Sequence, residues 1–365
     1  MSRKIVGDKM ASVNKSSSKA DMQALLDLTT SSRALLTQFL TSLSSDHASS
    51  TNIPANPPNP LQVLRDSAKL LKAHVTKLNL LLLNKPFTPS ALCSILREIT
   101  NVCLPAMMSA VEICSADIWG GLLHHEVVVR VRGLLKEMEV CVTEVADAAQ
   151  AEDKSTGRRP SEGKSRDSLA STGVVWEACD AVIELETLDV GGLAVKRAEL
   201  YRDMIKDAIE ELKEWGEDVD DDDEEDNAAS DEDDVEDMFA AANKMPKDHP
   251  ELKQLLDNSV GKLKKVNMLY TAIIKRRLKT FGPAAARQVI HVKTMDELIE
   301  KLKRIPEMVD ELANSFYELD ENEARTQLTA MVSEAEEAIE LVKLSWEGKE
   351  DEFTAWSTKW TEVIK

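Results

Sequence analysis

Aromatic residues are scarce in this 365-residue chain, at 4%, and basic residues fall well short of acidic ones: 45 Lys and Arg against 65 Asp and Glu, a formal charge of −20. A pI near 4.8 excludes a protein built chiefly to grip nucleic acid, because neutralising phosphates needs a net basic surface. Cysteine is also sparse. Cys93, Cys103, Cys114, Cys141 and Cys179 form no CxxC pair, and they fall among apolar residues of helix-like stretches, which reads as buried free thiols in a reducing compartment. Long apolar runs are missing too. The longest leucine run is Leu80–Leu83 and the polar N-terminus MSRKIVGDKMASVNKSSSK has no signal-peptide core, so neither a membrane span nor a secretory leader is expected. A soluble cytoplasmic or nuclear protein is expected.

What the sequence has is apolar spacing of three and four. Leu61, Leu64, Ala68, Leu71, Val75, Leu78 and Leu82 form one such run; Val127, Val131, Leu134, Met138, Cys141 and Val145 form a second; Leu298, Leu302, Ile305, Val309, Leu312, Phe316 and Leu319 form a third. Each run makes one helical seam that other helices must cover. The spacing predicts helices over 20–44, 60–84, 89–116, 120–150, 171–187, 192–215, 249–281, 294–319, 321–347 and 350–364. Asn59-Pro60 and Thr88-Pro89 supply cap and first-position proline, and Thr294 with Glu297 reads as a capping box. Pro105 and Pro306 lie inside two of the helices and should kink or divide them, with the freed carbonyls satisfied elsewhere. The fold class is all-α: two antiparallel helix bundles joined by a disordered acidic loop.

Most of the charge sits in that loop. Residues 217–237 carry 15 acids and no Lys or Arg, so the remaining residues hold only −5 of the total −20. Compositions like this cannot repay ordering entropy by apolar burial. The same holds for Ser44–Asn59, rich in proline, and for Ala151–Ser168, rich in Ser, Gly and charge. The expected organisation is a disordered N-terminus at 1–19, an N-terminal bundle at 20–216 with linkers 44–59 and 151–168, the acidic loop at 217–237, and a C-terminal bundle at 238–365.

Tests for chemistry come out negative. Gly157 to Ser165 approximates a phosphate-binding loop, but it has one residue too many between its glycines, a proline inside and no strand before it. His124-His125-Glu126 is not HExxH, and adjacent imidazoles on a helix point about 100° apart, which ill suits a shared ion. An EF-hand reading from Asp218 fails at Asp223, where glycine is needed, and at Ala229, where the bidentate Glu belongs. No catalytic, cofactor or metal residue is assigned, and no enzyme activity is expected. Ser230, followed by Asp-Glu-Asp, fits an acid-directed kinase. Lys275, Arg276, Arg277 and Lys279 form a candidate import signal or anionic-partner patch, with a solvated helix face as the competing reading. The Phe353-Trp356-Trp360 stripe reads as helix packing or a protein-docking surface.

The block Thr172-Gly-Val-Val-Trp-Glu-Ala-Cys-Asp180, followed by Gly191-Gly-Leu-Ala-Val-Lys-Arg197, resembles the cyclin-D-binding protein family, also described as Maid-like helix-loop-helix proteins. The similarity of helix order extends over roughly 60–355. The resemblance implies talin- and vinculin-like bundles in cytoplasm and nucleus, no enzyme activity, and partners that are D-type cyclins or helix-loop-helix transcription factors. It marks Thr172, Gly173, Trp176, Glu177, Ala178 and Cys179 as a family signature. Their own pattern reads as packing: Val175, Trp176, Cys179, Val182 and Ile183 would share an apolar face capped by Thr172. No basic helix precedes a helix-loop-helix pair, so sequence-specific DNA contact is not expected. The leading function is a non-enzymatic regulator of the cell cycle that binds proteins through helix faces. A cytoskeletal adaptor and an acidic-loop binder of histones or other basic proteins are the alternatives.

Overall fold

The computed structural model describes residues 2–44, 57–154, 162–217, 245 and 249–365, with side chains described except at 2–18, 154 and 162–169. Ser230, nearly all of the acidic stretch 217–237, and the central parts of the 44–59 and 151–168 linkers lie outside the described residues. Among the described residues the secondary structure is helical, with no strand. Two compact units divide the chain, Met1–Asp189 and Val190–Lys365.

The first unit contains α1 (Ser2–Ser42), α2 (Pro60–Leu83), α3 (Pro89–Glu98), α4 (Leu104–Ile113), the short α5 (Ala116–Trp119) and α6 (Gly121–Lys154). It also contains residues 162–188 of α7 (Glu162–Glu217). The backbone of α1 is helical from Ser2, where the sequence reading expects disorder over 1–19. No proline precedes Pro54 to stop it. Asn59 caps α2 by accepting from the Leu61 N–H at 2.9 Å, as its position before Pro60 predicts. Thr88 does not cap α3: its hydroxyl donates to the Pro86 carbonyl instead.

Contacts among these helices close a ring. α1 lies against α6 and α3, while α3 and α4 lie against α2. The first limb of α7 completes the circle between α2 and α6. Arg65 and Lys72 on α2 reach Glu186 and Asp180 at 2.6 Å; on α6, Glu144 accepts from Ser171 at 2.6 Å and Arg130 reaches Glu184 at 3.1 Å. The seams fill the interior, with Leu64, Leu71, Val75, Val131, Leu134 and Met138 fully buried. Between α3 and α4 the chain widens into a π turn, Ile99–Cys103, immediately before Pro105. Proline cannot donate to the carbonyl four residues back and crowds it, and the wider turn accommodates both effects. Pro89–Ile113 is long and apolar enough to cross a membrane by length and composition alone, though it contains no long leucine run. Here Leu92, Leu96, Ile99, Leu104 and Met107 are buried in the core of the unit.

The second unit contains residues 190–217 of α7, α8 (Pro250–Ile273), α9 (Pro283–Ala286), α10 (Val289–Tyr317), α11 (Glu321–Leu341) and α12 (Glu352–Ile364). Within α7 the break is a single residue, Asp189, at φ 49° and ψ −164°. The sequence places this interruption correctly between 187 and 192. The bundle that the following helix joins is not legible there: the bounds 20–216 take in 192–215 while its bundle stays open, and its contacts are with the second unit. Asn267 of α8 donates to the Arg202 carbonyl at 3.4 Å, and Tyr317 of α10 donates to Glu211 at 2.8 Å. Trp215 sits against the ring of Phe316. Gly216 permits close approach of α8, since a Cβ there would stand 2.5 Å from Leu256 Cδ2.

α11 folds back on α10, and α8 lies against both α11 and α12. Two expectations for α10 change. Thr294 does not start it, because the helix begins at Val289 and the Thr294 hydroxyl donates to the Ile290 carbonyl in mid-helix. Nor does Pro306 divide it. The helix runs through the proline, and the Leu302 carbonyl, four residues upstream, accepts a hydrogen bond from the buried Tyr270 hydroxyl of α8.

Candidate interaction surfaces

The signature block lies in the first limb of α7, inside a helix that starts at Glu162. Thr172 is therefore no cap: it is buried ten residues into the helix. Thr172, Val175, Cys179, Val182 and Leu185 face the core, spaced by three and four. Trp176 does not join them. It is 37% exposed, beside Val174 at 43%, so the expected apolar face of Val175, Trp176 and Cys179 is corrected. Adjacent helical positions point about 100° apart, and burying Val175 turns Trp176 toward solvent. Gly173 and Asp180 share its side of the helix, one turn before and one turn after. Nothing lies within 4 Å of where a Gly173 Cβ would stand, and Asp180 is held by Lys72. The block thus presents a large aromatic side chain on a surface with no bulky residue one turn before it. Glu177 is exposed and Ala178 half-buried.

The basic cluster separates into two kinds of residue. Lys275 and Arg276 are exposed, and Lys279 is exposed and pairs with Glu199 at 3.5 Å. Arg277 is 1% exposed, so it cannot belong to an accessible patch. A π turn, Ile274–Leu278, closes α8 and rotates Arg277 inward. Its guanidinium donates to the Val342 and Lys343 carbonyls at 2.6 and 2.9 Å and grips Asp351 with both nitrogens at 2.7 and 2.9 Å. It also lies 4.3 Å from the Phe353 ring centroid. Five donors in a planar fork suit such a site, where a lysine would not. Asp351 in turn caps α12, accepting from the Phe353 and Thr354 N–H groups. The guanidinium beside it holds its carboxyl well below the usual carboxylate range.

Other polar candidates have structural partners. His124 Nδ1 lies 2.7 Å from the Cys114 carbonyl, which makes it the donor, and Glu126 pairs with Arg130 at 2.7 Å. Among the described residues, no group of three or more His, Cys, Asp or Glu side chains is placed to hold a metal ion. The five cysteines are buried and free, as their apolar setting predicts. Burial pushes the Cys103 thiol up to about 11 and those of Cys114, Cys141 and Cys179 to about 12, leaving little nucleophilic thiolate near neutrality.

In the terminal stripe, Phe353 and Trp360 are buried, while Trp356 stays half-exposed between them. Ser357, fully buried, takes the inward place next to it. The signal for this was present in the spacing, because 353, 357, 360 and 364 alone make a continuous 4-3-4 seam.

Comparison with known proteins bears on the α7 block. Residues 63–218 match the sequence profile of the Grap2 and cyclin-D-interacting N-terminal domain. Over 308 residues, covering 83% of this chain and 84% of the relative, the sequence is 25% identical to an uncharacterized protein of Schizosaccharomyces pombe. It is 29% identical over 151 residues to the cyclin-D1-binding protein 1 homolog of Xenopus laevis, covering 41% of the chain and 42% of that protein. The matched segment includes the signature block and continues through the second limb of α7, so the family's domain ends later in the sequence than the first structural unit. Residues 63–218 are thus similar to the N-terminal domain of the Grap2 and cyclin-D-interacting proteins, in line with the cyclin-D-binding proteins that the Thr172–Asp180 block resembles.

Proposed function

We propose that the chain is a non-enzymatic regulatory protein of the cytoplasm and nucleus that binds cyclin-type or helix-loop-helix partners through helix faces and so restrains cell-cycle progression. The family relation supports the regulatory protein-interaction role. The observation that carries the finer reading is Trp176, exposed at the middle of the family block. A tryptophan left in water at one helix face costs the free protein apolar hydration, and a partner that covers it recovers that free energy; tryptophans are enriched among residues that dominate interfaces. The mechanism is competitive, with the helix face occupying a partner's groove and denying it to others.

Affinity purification of the chain from its native cell tests this. Cyclins, cyclin-dependent kinases or helix-loop-helix factors should be enriched above background. Recovery of none of these classes counts against the cell-cycle assignment. The closed ring of helices in the first unit favours a second reading, a cytoskeletal adaptor, for which co-sedimentation with actin filaments is the discriminating result.

A further inference from the structure

We propose that the groove between α8 and α12 is a docking site for an acidic amphipathic helix of a partner protein. This rests on reading the chain as a protein-interaction protein, and it supplies a second surface with its own partner chemistry. The groove has a volume of about 450 Å³, with Met268, Ala272, Phe353 and Trp356 as its apolar lining. Met268 is 59% exposed, on a helix whose core face is fully buried at Leu263, Val266, Tyr270 and Ile273. Methionine and tryptophan together make an adaptable apolar floor of the kind that accepts a helix.

Charge chooses the occupant. The chain as a whole carries −20, yet the sign reverses around this groove. Lys264 on α8 lies one turn before Met268 and Lys275, in the π turn that closes α8, two turns after it; Lys359 lies one turn from Trp356 on α12, and all three are exposed with no ion-pair partner among the described residues. At one end Arg276 pairs with Glu352 across the two helices at 2.5 Å, with Glu352 79% exposed. That pair shows that the rim takes a carboxylate, and a partner's Asp or Glu can replace Glu352 there. A helix with acids flanking its apolar stripe is thus complementary, whereas a basic helix meets like charge. From Met268 to Lys275 the wall runs about two turns, or about 10 Å. This length fits two apolar anchors spaced i, i+4 on the incoming helix.

The test uses the full chain and a fluorescein-labelled synthetic peptide of about four turns, with Leu at i and i+4 and Glu on both flanks, followed by anisotropy. A matched peptide carries Lys in place of Glu. The acidic peptide should bind and the basic one should not, and binding should weaken with added salt. Met268→Glu and Lys275→Glu should each weaken it about tenfold or more, while far-UV circular dichroism stays unchanged because both side chains are exposed. Trp176→Ala should leave peptide binding as it was. Equal binding of the two peptides, indifference to Met268→Glu, or absence of binding overturns the proposal. So does peptide binding that appears only after residues 217–237 are deleted, which would make the chain's own acid the occupant, or a dimer that Met268→Glu dissociates, which would make it a second copy. Because the probe is synthetic, its failure leaves the cyclin capture readable, and failure of that capture leaves this result standing.

Discussion

At the scale of single residues, two buried polar groups do what their sequence neighbourhoods conceal. Tyr270 donates its hydroxyl to the Leu302 carbonyl, the group that Pro306 leaves without its helical donor. Burial pushes the Tyr270 phenol well above its usual range, so it stays a donor throughout ordinary pH. Tyr270→Phe keeps the ring and strands the carbonyl. The variant should lose about 1–2 kcal/mol in urea unfolding, the cost of one unsatisfied buried acceptor, and an unchanged midpoint would show that α10 accommodates Pro306 without help. The need for a donor is legible from Pro306 alone, while its identity is not, because 32 residues separate the pair. Arg277 is the reverse case. Within Lys-Arg-Arg-Leu-Lys it looks like one more surface cation, and only the π turn that ends α8 sends it inward. Charge density marks clusters well, but it cannot tell which member of a cluster a change of helical pitch will bury.

At the scale of elements, spacing by three and four located every long helix of the described residues, because a seam of leucines and valines has no other way to leave water. Ends were less legible. The start of α7 at Glu162 and of α10 at Val289 lie upstream of the capping residues Thr172 and Thr294, since a threonine inside a helix can satisfy its hydroxyl on the preceding turn. The beginning of α12 behaves differently. Asp351 forms a capping box with Thr354 and is bound by Arg277, so its carboxyl titrates below its unfolded value of about 3.9. A depressed carboxyl contributes stability that is fully present well above the unfolded pKa and is lost as pH falls through the folded one. Asp351→Asn lacks that contribution at every pH. The stability difference between the native chain and this variant should therefore be widest above about pH 5 and shrink below about pH 4, in thermal melts across that range. A difference that stays constant would contradict the assignment.

At the scale of the whole molecule, the sequence announces two helical bodies but misplaces the line between them. The acidic stretch at 217–237 is the most conspicuous change in composition, yet the units divide at Asp189, where one residue of positive φ, two positions before the pair Gly191 and Gly192, interrupts α7. Composition reports where a chain can be left in water. It does not report which helices share a core, and 190–217 joins the core of the second unit through Trp215, Gly216 and the polar contacts of Arg202 and Glu211. The Thr172–Asp180 block is misleading when read as a face. Trp176 counts as apolar in any periodicity, and only the burial of Val175 and Cys179 shows that it points out. In the function proposed above, this exposed side chain, at the middle of the Thr172–Asp180 block, is what a partner covers. Its most direct test is the affinity of a partner recovered by purification, titrated against the native chain and against Trp176→Ala. The substitution should leave far-UV circular dichroism and unfolding nearly unchanged, within about 0.5 kcal/mol as for other surface changes, and weaken binding by about 30-fold, the scale of a ~2 kcal/mol interface hot spot. Equal affinity for both forms, with the fold intact, would contradict it.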